Sequence, residues 1–205
     1  MVKENVVLIR ETRDVLSGRW GLAVGVFFIY MIIIGALNGT HESGSLLWIL
    51  LAGPFSLGAA IFSLSLARRQ DASAGQLFQG FNHFGTAFLV NIVLMVIIGV
   101  GFILLVVPGV IFALSYSLTY FILVDHPELK PMEAIRKSRM MMNGYKMKLF
   151  YLWLRFLGLA LLCVLTAGIG FLWLTPFVHV CMGRFYEDIQ ENTQPATNHT
   201  TSEME

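Results

Sequence analysis

Between Phe84 and Val124 the chain carries no Asp, Glu, Lys, Arg or His. One membrane crossing takes about 20 apolar residues, so a run of about forty is too long for a single crossing and suits two. A Pro-Gly pair, Pro108 and Gly109, falls inside the run. Proline removes a backbone donor and restrains its neighbour, and glycine permits a tight turn. The pair is the expected hairpin tip, with helices over 85–107 and 110–124 on either side.

Composition places the rest of the chain in the same setting. Charged residues make up 13% of the 205 and hydrophobic residues 56%, too few charges to cover the surface of a water-soluble domain. Apolar stretches over 20–37 and 46–67, each ended by a polar segment, predict two further crossings. The stretch from Leu149 to Gly183 is interrupted by "TAGIG", with Gly168 and Gly170 as turn residues, and predicts two more over 149–167 and 171–185. The expectation is an all-α polytopic bundle of six transmembrane helices in three hairpins, forming one domain over 1–186. Residues 187–205 are polar and acidic and are expected to be a disordered tail. The first twenty residues carry charges where a secretory signal has its apolar core, so no cleaved leader is expected.

Orientation follows from the basic residues. With both termini in the cytoplasm, every Lys and Arg outside the spans lies on the inner side, and the three outer turns hold none. The expected location is therefore the plasma membrane, crossed several times. "KPMEAIRKSRMMMNGYKMKLF", Lys130 to Phe150, sets Met132, Ile135, Met142 and Leu149 among six basic residues and predicts a helix in the headgroup layer; the first seventeen residues resemble it more weakly. Gly18, Gly80 and Gly144 recur just before odd-numbered spans, and Pro54, Pro108 and Pro176 at or near the outer half of even-numbered ones. That spacing raises a three-fold pseudo-repeat of interfacial helix plus hairpin; the alternative is that any three-hairpin protein needs such breakers.

Several of these segments carry a family likeness. "LFQGFNHFG", "VVPGVIFALSYSLTYFILVDHPELKPMEAIRKSRMMMNGYKMKLF" and "LTAGIGFLWLTPFVHVCMGRFY" resemble a widespread family of bacterial integral membrane proteins of unknown function. They are also distantly similar to the membrane domain of some glycerophosphodiester phosphodiesterases. The resemblance implies a six-helix membrane fold and carries over no catalytic residues.

No catalytic set, metal-ligand cluster or cofactor motif stands out, so no enzyme activity, cofactor, metal or nucleic-acid partner is expected. Asp125 and His126 are adjacent, but "DHPELKP" reads as a turn into a helix. Cys163 and Cys181 lie in apolar stretches as small packing residues. The sharper feature is depth. Ser63, Asn91, Thr119, Arg155 and His179 all fall about four to six residues inside the cytoplasmic ends of their spans, or roughly 6 to 9 Å. One arrangement gathers them into a cytoplasm-facing polar cavity where Arg155 meets an anionic head group. In the other, Arg155 reaches the headgroups and the hydroxyls bond their own helices. Membrane lipids are the expected partners. Function divides between transport or handling of a lipid or anionic small molecule, and a non-catalytic role as a membrane partner or accessory subunit, in which a protein partner or a second copy docks on small-residue faces.

Overall fold

A computed structural model describes residues 3–39, 43–166 and 168–193. Helices account for nearly all of them, and no strand occurs among the described residues. The chain opens with α1 (Asn5–Leu16), turns at Gly18, and continues as α2 (Trp20–Gly39) and α3 (Ser43–Ala67). A short α4 (Gln76–Gln79) and a 3₁₀ turn (Gly80–His83) lead into α5 (Phe84–Leu104). Then come α6 (Val106–Tyr116), α7 (Thr119–Asp125), α8 (Pro131–Met141), α9 (Lys146–Leu165) and α10 (Phe171–Thr193).

Among the described residues, length and hydropathy qualify four helical stretches to cross a membrane: Trp48–Ala67, Gln76–Leu104, Val106–Asp125 and Lys146–Leu165. A fifth qualifies if α1 and the start of α2, bent by 97°, are counted together. The last helix does not, because charges begin at Arg184 and its apolar part, Phe171 to Gly183, rises only about 20 Å at 1.5 Å per residue.

The opening run is broken earlier than its Pro-Gly pair suggests. Leu105 takes an extended conformation between α5 and α6, and the tip is Leu105 rather than Pro108 and Gly109. Pro108 sits in the first turn of α6, where its missing N–H would have had no partner inside the helix anyway. Gly109 is buried: a Cβ there would lie 2.6 Å from the Phe102 ring, so glycine lets α6 close on α5. The "TAGIG" break does make a turn. Gly168 adopts a positive φ of 84°, and its N–H donates to the Cys163 carbonyl at 3.1 Å, closing the end of α9. The expected tail is helical as far as Thr193, with Asp188 and Ile189 buried; the Asn198 triplet and the turn at His41 lie outside the described residues.

Burial ranks the helices. In α3, 72% of the apolar window is buried by the rest of the protein, against 17% in α9, so α3 is the central post and α9 lies at the periphery. Apolar side chains gain little by leaving lipid for protein, so such packing relies on close backbone approach. Small residues supply it: a Cβ on Gly58 would overlap the Leu77 carbonyl, and one on Gly80 the Pro54 carbonyl. The segment from α4 through the 3₁₀ turn thereby seats directly on α3.

Two of the three spaced glycines share a local role. Gly18 and Gly144, at φ of 81° and 86°, each turn an amphipathic helix (α1, α8) into a long apolar one (α2, α9). Gly80 stays helical at φ −58°. In α8, Pro131 opens the helix and the Glu133 carboxylate accepts the Lys130 N–H at 3.1 Å. Ala134, Ile135, Ser138 and Met141 face the bundle, while Met132 and Met140 are exposed among the basic residues.

Candidate functional site

Half-way along the bundle, side chains from α2, α3, α7, α9 and α10 and from the α6–α7 junction surround a cavity of about 270 Å³. Its polar groups are Tyr30, Ser56, Ser117, Tyr120 and His179, and Trp153 closes one side. Each of the five is only partly buried, although their neighbours Phe55, Leu57, Leu118, Thr119 and Val180 are fully packed, so these polar groups face the space and not the core.

Local helix geometry explains the set. Tyr30 of α2, Ser56 of α3 and Tyr120 of α7 line the same space, which three helices thus share. The Tyr120 hydroxyl donates to Asn91 Oδ1 at 3.2 Å, and Asn91 Nδ2 donates to the Ile49 carbonyl at 3.3 Å. Proline at position 54 leaves the Leu50 carbonyl of α3 without its usual donor, one residue from this bond. On the far wall the His179 ring lies on Phe27, with centroids 4.7 Å apart. A cavity of apolar walls with a few convergent hydroxyls and one imidazole suits a small amphiphile carrying a hydrogen-bonding head.

Of the polar tier expected from the sequence, only His179 lines the cavity, and Asn91 reaches it through Tyr120. Ser63 and Thr119 are fully buried and donate their hydroxyls to nearby backbone carbonyls, Ala59 O in α3 at 2.6 Å and Tyr116 O at the end of α6 at 2.8 Å. Arg155 does not join them. In α9 Leu149, Leu152 and Phe156 face inward, which turns Arg155 outward beside Lys148 and Tyr151 at a surface pocket near Lys3. Equal depth therefore did not mean equal facing. Tyr30, Ser56 and Tyr120 escaped the sequence reading because tyrosine and serine are unremarkable in apolar helices; the combined angle and depth of three helices was the missing information.

Toward the basic end, the cavity is floored by Phe121 and Met182. Phe121 stacks on Tyr186 at 5.8 Å, and beneath lies a layer of ion pairs. Arg68 at the end of α3 bonds Asp125 at the end of α7 and Glu187 of α10, and Asp125 also accepts from Tyr186 at 2.9 Å and Gln190 at 3.3 Å. Burial would raise the Asp125 pKa, but Arg68 and Tyr186 outweigh it and hold the carboxyl below its ordinary value. A second cluster fastens α1: Glu11 pairs with Lys3 and Arg184, and Asp188 accepts from Lys148 at 2.7 Å and from the Lys3 backbone at 3.1 Å. For Glu11 too, burial raises the pKa and the hydrogen bonds from Lys3 and Arg184 win, leaving it lowered.

These features define an all-helical protein with several apolar helices of membrane length around a small, partly polar cavity. The chain belongs to the family described as "Protein of unknown function (DUF975)", which matches residues 91–193 and so covers α6 to α10 whole and most of α5. No curated protein and no solved structure matches the chain, and the distant likeness to glycerophosphodiester phosphodiesterase membrane domains gains no support.

Proposed function

We propose that this is a multi-pass integral membrane protein with both termini in the cytoplasm, and that it binds a small amphiphile in the cavity as part of its transport or handling. The observation that carries the reading is the gathering of Tyr30, Ser56, Ser117, Tyr120 and His179 around one small cavity within helices of membrane length. These groups offer a ligand's polar head hydrogen-bond partners that apolar walls do not, and a polar head buried without partners costs about 1–3 kcal/mol. Lacking a permanent charge, the cavity suits an uncharged or weakly polar head better than the phosphate expected for Arg155.

Six crossings in three hairpins complete the reading. The concentration of basic residues at one end supports it, as does the exposure of the lipid-length faces of α5 and α9. With α10 too short in its apolar part to cross alone, its charged end stands in the layer of ion pairs that also holds α1. That layer separates the cavity from the cytoplasm, and opening it would admit or release the ligand from that side.

The test is to purify wild type, Tyr120→Phe and Ser117→Phe and to identify co-purifying small amphiphiles by mass spectrometry. Wild type should retain a compound enriched over bulk lipid. Tyr120→Phe, which keeps the ring and removes the hydroxyl, should retain about ten-fold less, and Ser117→Phe should retain none. Absence of any enriched compound in the wild type, or equal retention in all three, refutes the proposal.

A further inference from the structure

A second and larger space lies outside the bundle's centre. It is a groove of about 640 Å³ running between the outward parts of α9 and α10, with α1 across one end. Its long walls are apolar, formed by side chains such as Leu162, Leu174 and Phe177. From Leu159 to Thr166 the α9 wall rises about 10 Å. Tryptophans stand at its edges, Trp20 where α2 begins and Trp173 near the opposite turn, the positions that interfacial aromatics occupy in a bilayer.

The end made by α1 is different in chemistry. Because α1 meets α2 at 97°, it lies across the helix bundle and not along it. Leu8, Thr12, Val15 and Leu16 pack inward, while Val6, Arg10 and Arg13 form an exposed row at helical spacing that borders the groove. Lys3, Arg68, Lys148 and Arg184 each have a carboxylate partner, whereas among the described residues Arg10 and Arg13 have no ion-pair partner. Their helix is nevertheless held firmly, by Glu11 to Arg184, by Asn5 Nδ2 to the Lys148 carbonyl at 3.0 Å, and by the Lys3 bonds to Asp188. Two unpaired guanidinium groups are thus held at the basic end of an apolar channel.

We infer that this groove binds one anionic phospholipid, with an acyl chain between α9 and α10 and the phosphate held by Arg10 and Arg13. Neither half of the site explains the other without such a ligand: an apolar channel alone would accept any lipid chain, and two surface arginines alone would accept any anion. Together they select a phosphate attached to a chain, and guanidinium offers the paired donors that phosphate oxygens accept. The inference rests on the membrane reading above, but its site is separate from the central cavity and does not share a residue with it.

The experiment places the full chain in nanodiscs of equal phosphatidylglycerol and phosphatidylcholine and counts the lipids retained by native mass spectrometry. Wild type should retain phosphatidylglycerol in preference. Arg10→Gln with Arg13→Gln should lose the preference by about five-fold per arginine, roughly 25-fold in all, with unchanged thermal unfolding because neither side chain has an ion-pair partner to lose. Leu162→Trp, which fills the channel and leaves both arginines, should abolish retention of either lipid. Millimolar inorganic phosphate should leave the bound lipid in place. Equal preference in the double variant overturns the inference, as does undiminished retention in Leu162→Trp, or displacement by phosphate, which would make it a plain anion site. Loss of arginine dependence alone leaves the cavity proposal standing, whereas a chain that does not enter nanodiscs defeats both.

Discussion

Arg68 holds Asp125 with both terminal nitrogens, Nη1 to Oδ1 at 2.7 Å and Nη2 to Oδ2 at 2.8 Å, while its Nε reaches Glu187 at 2.9 Å. The ends of α3 and α7 and the body of α10 meet on one planar group. Lysine could keep the charge but not the fork. Arg68→Lys should therefore lower stability by about 1 kcal/mol. Asp125→Ala, which leaves the guanidinium short of a partner and frees the Tyr186 hydroxyl, should cost about 2 kcal/mol. Thermal unfolding in detergent measures both, and Asp125→Ala as stable as wild type would remove the latch from the account.

Acid should loosen the same layer. Asp125 and Glu11 titrate below their ordinary values in the folded protein, so the unfolded chain binds more protons and stability rises with pH across their range. The contribution is complete above the unfolded values, about 4 to 4.5, and is lost as pH falls through the lowered folded ones. Melting temperature is expected to be flat from pH 7 to about 5 and to fall below that. In Asp125→Asn with Glu11→Gln the fall should be shallower; an identical slope would assign acid sensitivity to other groups.

Close backbone packing makes a separate prediction. Gly58→Ala would press a methyl into the Leu77 carbonyl and should cost about 1–3 kcal/mol. Gly99→Ala, where nothing lies within 4 Å, should be neutral or slightly stabilising. Parallel melts of the two variants decide it, and equal effects would mean that α3 and α4 are not in such close contact.

Topology can be read with thiols. After Cys163→Ala and Cys181→Ala, a cysteine at exposed Ile169, in the α9–α10 turn, should react in intact cells with a membrane-impermeant reagent. One at exposed Met140 of α8 should not. Reaction at Met140, or protection of Ile169, would invert or reduce the proposed set of crossings.

How much of this was legible in the residues depends on which physical scale each signal lives on. Apolar length and the scarcity of charge are one-dimensional, and they announced the long helices from the sequence alone. Gly168 could be read as a turn because its local conformation is what glycine allows. Pro108 and Gly109 misled because the same residues also serve in a helix's first turn and in a close helix contact, which only the packing of α5 on α6 distinguishes. Residues 187–193 looked like a tail, yet Asp188 is buried under Lys148 and the Lys3 backbone, partners about 40 and 185 positions away. The polar tier was placed by depth alone. Facing also matters, and it sent Arg155 outward while bringing Tyr30, Ser56 and Tyr120 to one cavity.

The central claim is that the space around Ser56 holds a ligand inside the membrane. A photoreactive phenylalanine analogue at Phe121, which forms part of the cavity floor and is only 6% exposed, reports on that space directly when irradiated in native membranes. The same analogue at Leu161, 63% exposed on α9, samples bulk lipid. Intact-protein mass spectrometry should show one discrete adduct at position 121, absent in the presence of Ser117→Phe, and a heterogeneous lipid spread at 161. The same spread at both positions, or only cross-links within the protein at 121, would contradict it.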